Sequence, residues 1–115
     1  MEVTSDIEPG LIIATVRGRF DAHTVGTYVA TVVDLVSPDY PNVIVDLSGV
    51  EFMDSSALAA LVTTLKRTME QRGQIVLAGA ADAARIILEL TRLDQVFTQA
   101  DSTDQARLRL AAPAR

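Results

Sequence analysis

The sequence predicts an α/β domain of ββαβαβαβα order, a mixed and mostly parallel sheet of about five strands with helices packed on it. Three observations predict it. Short β-type apolar runs alternate with segments whose apolar residues recur at steps of three and four, and such alternation calls for parallel strands joined by right-handed helical crossovers. The first two runs are separated only by Glu8-Pro9-Gly10, a turn sequence that makes the leading pair an antiparallel hairpin. Apolar residues make up 49% of the chain and aromatics only 4%, so the core must be Val, Ile, Leu and Ala, the usual filling between helices and a parallel sheet.

The elements follow in chain order. Val3 to Ile7 and Leu11 to Val16 are the hairpin strands; Pro9 fixes φ at the first central turn position and Gly10 accepts a positive φ at the second. From Thr24 to about Val36, residues Val25, Tyr28, Val29, Val32, Val33 and Val36 describe a helix face despite their β-branched content. Ser37-Pro38-Asp39-Tyr40-Pro41 ends that helix, because prolines cannot continue it and bias the preceding residues toward extended backbone. Val43 to Val45 with Leu47 is a nearly continuous apolar run, the pattern of a central strand covered on both faces. A short polar turn is expected after it. The next helix, Ser55 to about Gln71, places Leu58, Leu61, Val62, Leu65 and Met69 on one stripe and Thr64, Lys66, Arg67 and Glu70 away from it. Arg72-Gly73 supplies a basic last turn and a glycine stop. Ile75 to Ala78 is a strand, Asp82 to about Thr91 a helix with Ile86, Ile87 and Leu90 inward, and Val96-Phe97 a minimal last strand. Ser102 or Thr103 caps a final helix from Asp104 to about Leu110. With 115 residues the chain fits one domain, expected over residues 1–112 with 113–115 as a frayed tail.

Charge and composition narrow the function. A net charge of −5 repels phosphate backbones and anionic lipid heads, so neither nucleic acid nor a membrane surface is an expected partner. The absence of Cys removes disulfides, thiolate zinc sites and Cys nucleophiles together. The start MEVTSDIEPG lacks the basic and apolar regions of a signal peptide, and no apolar run reaches the roughly 18 residues of a membrane span. The expectation is a soluble cytoplasmic protein. His23 is the sole histidine and makes a poor metal site without a second His or a Cys; no metal, cofactor or catalytic residue is expected. The chain has no G-x-S-x-G elbow, no Walker loop and no G-x-G-x-x-G, and Lys66 is its only lysine, mid-helix, where a receiver-like site would want one near a late strand.

The most chemically pointed stretch is Asp54-Ser55-Ser56 at the mouth of the second helix. Asp54 is placed to cap the helix, its carboxylate accepting from free backbone N–H groups. One of the two hydroxyls should project into solvent, where a phosphoryl group would add about −1.5 to −2 charge beside those amides and beside a repelling carboxylate. Asp21, at the end of another strand, could share the same rim, although its plainest reading is also a cap. Tyr28 and Met69 read as core, and Arg17-Gly18-Arg19 and Lys66-Arg67 as solvated charge.

The stretch VIVDLSGVEFMDSSALAAL (43–61) resembles the signature of the STAS domain family, in particular the bacterial anti-sigma factor antagonists. GRFDAHT (18–24), GQIVLAGA (73–80) and LTRLDQVFTQADSTDQA (90–106) extend the resemblance over nearly the whole chain in the right order. It implies a non-enzymatic protein that binds an anti-sigma factor of the histidine-kinase-like ATPase class, itself a serine kinase, and so releases a sigma factor. It further implies Ser55 as the phosphoacceptor that switches binding off, Asp21, Asp54, Ser55 and Ser56 as partner-binding residues, and a serine phosphatase that resets the switch. Ala57 stands where the family usually carries Gly, and Leu93-Asp94 where a small residue or glycine is often seen. The alternatives are a STAS subunit of another assembly, such as a stress-signalling complex or a lipid-transport machine, with Ser55 unmodified, and a small-ligand binder or hydrolase.

Overall fold

A computed structural model describes residues 2–111; the tail expected at 113–115 lies outside them. The strands are β1 (Glu2–Glu8), β2 (Leu11–Phe20), β3 (Asn42–Met53), β4 (Ile75–Ala78) and β5 (Thr98–Ala100), and the helices α1 (Val25–Thr31), α2 (Ser55–Glu70), α3 (Asp82–Leu90) and α4 (Thr103–Ala111). They form one five-stranded sheet in the order β1-β2-β3-β4-β5. β1 pairs antiparallel with β2 through Glu8↔Leu11, with Gly10 at φ 71°, and every other pair is parallel. The predicted class, element order along the chain and central position of β3 are what the structure shows.

Strand alternation sorts the core into two faces. Ile12, Ala14 and Val16 of β2, Val43, Val45 and Leu47 of β3, and Ile75 and Leu77 of β4 meet Tyr28 of α1, Leu58 and Leu61 of α2, and Ala84 and Leu88 of α3. On the other face Leu11, Ile13, Ile44, Val76 and Ala78 lie under Ala106 of α4. Each large aliphatic side chain fully buried here contributes about 1.5–3 kcal/mol. Arg107 of α4 also forks onto both carboxylate oxygens of Glu8, its Nη2 lying 2.7 Å from Oε2, and ties that helix to the hairpin.

Five expectations are corrected. The first predicted helix is broken: α1 stops at Thr31, Val32 takes φ −122° and ψ −61°, and a 3-10 turn covers Val33–Leu35. The β-branched Val and Thr residues lose side-chain freedom in a helix, and the break still buries Val32, Val33 and Val36. The polar turn expected after Leu47 is strand, because β3 continues to Met53 alongside β2, which itself runs on to Phe20 through two register shifts. Gly49 permits the close pairing, since a Cβ there would lie 2.9 Å from Cγ of Arg17.

On α2, Thr64 is fully buried and Met69 is 64% exposed, the reverse of the expectation. Thr64 lies inside because Tyr28 needs a partner: Thr64 Oγ1 donates to the Ala60 carbonyl at 2.8 Å and accepts from the Tyr28 hydroxyl at 2.7 Å. Burial pushes the Tyr28 phenol pKa far up despite that bond, so it stays protonated. On α3 the inward residues are Ala84 and Leu88, with Ile87 half-buried, whereas Ile86 and Leu90 are 51% and 79% exposed. The last strand is Thr98–Ala100 rather than Val96-Phe97. Leu93–Gln95 forms a 3-10 turn whose Leu93 carbonyl accepts from the N–H groups of both Val96 and Phe97, which removes those residues from strand pairing and drives the Phe97 ring into the core.

Candidate functional site at the carboxyl ends of the strands

Parallel strands point their carboxyl ends to one rim, where helix starts leave backbone N–H groups free. At the end of β3, Met53 is buried and the chain turns out through Asp54, extended at φ −122° and ψ −173°. Asp54 Oδ1 accepts from the N–H of Ser56 at 2.9 Å and of Ala57 at 3.2 Å. This is the N-cap the sequence predicts, worth about 1 kcal/mol. Oδ2 is used differently, accepting at 3.2 Å from the N–H of Ala22 on the loop that follows β2. Ser55, the first residue of α2, is exposed, whereas Ser56 is half-buried. Ala57 is fully buried under the helix start.

The β2–α1 loop is built around Asp21. Its side chain is turned inward, the residue 7% exposed, with Oδ1 accepting from the N–H of His23 at 3.0 Å and the hydroxyl of Thr24 at 3.3 Å, and Oδ2 from Nε of Arg19 at 3.3 Å. Burial alone would raise the Asp21 pKa, but the His23 N–H, the Arg19 guanidinium and the Thr24 hydroxyl outweigh it and hold the carboxyl below its ordinary value. Asp21 is not the cap of α1. Thr24 holds the N-cap position and makes no side-chain cap bond, while the Asp21 carbonyl closes the turn by accepting from the N–H groups of Thr24 and Val25. The Arg19 guanidinium also stacks over the Phe52 ring, 4.1 Å from its centroid, a cation–π contact that braces the loop's base on β3.

The structure thus brings Asp21, Asp54, Ser55 and Ser56 to one rim, with unequal exposure. Ser55 is open, Asp54 and Ser56 are half-buried, and Asp21 is behind its own loop, leaving Ala22 and His23 as that loop's exposed residues. Ala22 has no signal in the sequence, because it contributes a backbone N–H. Further along the same side of the sheet, Gly79, Ala80, Arg85, Gln99, Ala100 and Asp101 line an open cavity of about 350 Å³, in which Arg85 is paired with Asp82 at 2.7 Å. Among the described residues no group of three or more His, Asp or Glu side chains is placed to hold a metal ion, and no helix is long and apolar enough to cross a membrane.

Fold and rim together define an α/β domain with helices on both faces of a mixed sheet and its chemistry concentrated where β2 and β3 lead into α1 and α2. Residues 2–106 match the STAS domain family, and the chain belongs to that family. Among solved structures it is similar to an anti-sigma factor antagonist from Mycobacterium paratuberculosis, with 24% identity, 96% of this chain and 94% of the other covered, and a TM-score of 0.85. It is also similar to the anti-sigma factor antagonist SpoIIAA in its unphosphorylated form, with 15% identity, 99% and 100% covered, and a TM-score of 0.85. A sulfate transporter family protein from Wolinella succinogenes shares the fold as well, at 19% identity, 92% and 87% covered, and a TM-score of 0.73.

Proposed function

We propose that this chain is an anti-sigma factor antagonist. It binds an anti-sigma factor that is also an ATP-dependent serine kinase and thereby frees a sigma factor; phosphorylation of Ser55 by that kinase ends the complex, and a serine phosphatase restores it. The observation that carries this reading is the exposure of Ser55 at the first position of α2, beside a carboxylate already fixed by three backbone N–H groups. A phosphoryl group there would sit against Asp54, while the rim's Arg19 is held by Asp21. In an interface that loses water, an added dianion with no cation to meet it costs several kcal/mol, enough to release a partner. Nothing in the core needs to move for this to happen.

The second reading, a STAS subunit of another assembly with Ser55 unmodified, is favoured by the likeness to the sulfate transporter family protein. Incubation with the cognate anti-sigma kinase and ATP separates the two. Phosphate on Ser55, absent from Ser55→Ala and accompanied by loss of the complex, is the expected result. Stable binding without modification favours the second reading, and absence of both binding and modification overturns the first.

A further inference from the structure

We infer that Asp54 is a positioning residue that holds the β2–α1 loop against the Ser55 corner, so that Ala22 and His23 form part of the surface the partner reads. This rests on the reading of the rim as a partner-binding site. Its basis is the division of labour between the two carboxylate oxygens of Asp54. Oδ1 is spent on α2, accepting from Ser56 and Ala57, which is all that capping requires. Oδ2 reaches 32 residues back along the chain to the N–H of Ala22, a bond that adds nothing to α2.

Without that bond the hydrogen bond left between this region and the helix start, among the described residues, is that of the Asp54 N–H to the Phe20 carbonyl at a long 3.4 Å, while the Arg19–Phe52 stack holds only the loop's base. The loop itself is stiff, because Asp21 collects His23, Thr24 and Arg19 inside it. A stiff loop braced at its base moves as a unit at its tip. The Ala22–Asp54 bond therefore sets where the exposed Ala22 and His23 stand relative to the exposed Ser55. Preorganising them removes an ordering cost that binding would otherwise carry.

Asp54→Asn and Asp54→Ser test this without removing the cap, since Asn and Ser rank with Asp at that position. In Asp54→Asn the amide nitrogen meets the Ala22 N–H donor to donor; in Asp54→Ser the side chain is too short to serve both elements. Both variants should melt close to wild type and keep the Ala57 amide protected from hydrogen exchange. The Ala22 amide should exchange about tenfold faster, and affinity for the unphosphorylated-state partner, the anti-sigma kinase, should fall about tenfold, the scale of one hydrogen bond. Unchanged Ala22 exchange in both variants overturns the bridge. Faster Ala22 exchange with wild-type affinity overturns the loop's part in recognition. If wild type itself fails to bind the kinase, the function proposed for the rim fails and the recognition role with it, while Ala22 exchange still decides the bridge.

Discussion

The two ends of the sheet are closed by the same device put to different uses. At the amino ends, Asn42 opens β3 and links three passes of the chain. Its Nδ2 donates to the Gly10 carbonyl of the hairpin turn at 3.3 Å, and its Oδ1 accepts from the Gln74 N–H at the start of the β4 pass at 2.9 Å. At the carboxyl ends, Asp54 opens α2 and links two passes, the loop after β2 and the helix itself. The amino-end bridge is neutral and packed against backbone. The carboxyl-end bridge is charged and stands beside an exposed serine. One end is built to hold the sheet together, the other to hold a surface in place, and stability and recognition should separate accordingly.

The sharpest separation is expected at Gly73. A Cβ there would lie 1.8 Å from the Pro41 carbonyl oxygen, and backbone cannot swing aside as a side chain can. Gly73→Ala should cost about 3 kcal/mol or more, at the upper end of overpacking effects, measured by urea denaturation. Asn42→Ala should follow with a loss of about 1–2 kcal/mol, from two broken hydrogen bonds of which the one from the Gln74 N–H is open to water. Asp54→Ala, which removes cap and bridge at the opposite end, should cost about 1–2 kcal/mol, no more than Asn42→Ala, yet weaken partner binding more than Asn42→Ala does. A binding defect in Asn42→Ala as large as that in Asp54→Ala would dissolve the comparison.

Acid should distinguish the ends too. The Asp21 carboxyl is held below its ordinary value of 3.8, so its contribution to the folded loop is complete above that value and is lost as pH falls through the lower folded one. The Asn42 bridge carries no titrating group. On acidification the His23 amide should lose exchange protection before the Gln74 amide; simultaneous loss would mean that the loop has no separate acid response. The smallest stability effect belongs to Ser55→Asp, at an exposed helix start that tolerates negative charge, with melting nearly unchanged.

How far the sequence reached depended on where the controlling contact lay. Element order, the hairpin turn, the central strand and the Asp54 cap rest on local pattern or turn chemistry, and all were legible. The α2 stripe was misread at Thr64 and Met69 because the deciding contact, the Tyr28 hydroxyl, comes from another helix. On α3, Ala84 with Leu88 and Ile86 with Leu90 are both apolar pairs four apart, and periodicity alone does not choose between them. The second half of β3 looked like a turn at Ser48-Gly49 because strand pairing with β2 stabilises it from outside. The glycine stop expected at Arg72-Gly73 has its parts exchanged. Arg72 takes the left-handed conformation at φ 59°, and the N–H groups of Arg72 and Gly73 satisfy the Met69 and Thr68 carbonyls; Gly73 is needed for lack of a side chain, not for its φ. At the site, Ser55 and Asp54 were legible from residue type, whereas the Ala22 link was not, being a backbone N–H brought in by tertiary structure.

In the proposed switch, charge on Ser55 decides whether the rim keeps a partner while the fold stays as it is. The direct measurement compares one preparation before and after stoichiometric phosphorylation of Ser55, reading both affinity for the anti-sigma kinase and the melting temperature. The expected result is a large loss of affinity, a hundredfold or more if the added charge costs about 3 kcal/mol, with melting almost unchanged. Undiminished affinity, or a loss of affinity accompanied by an equal loss of stability, would contradict it.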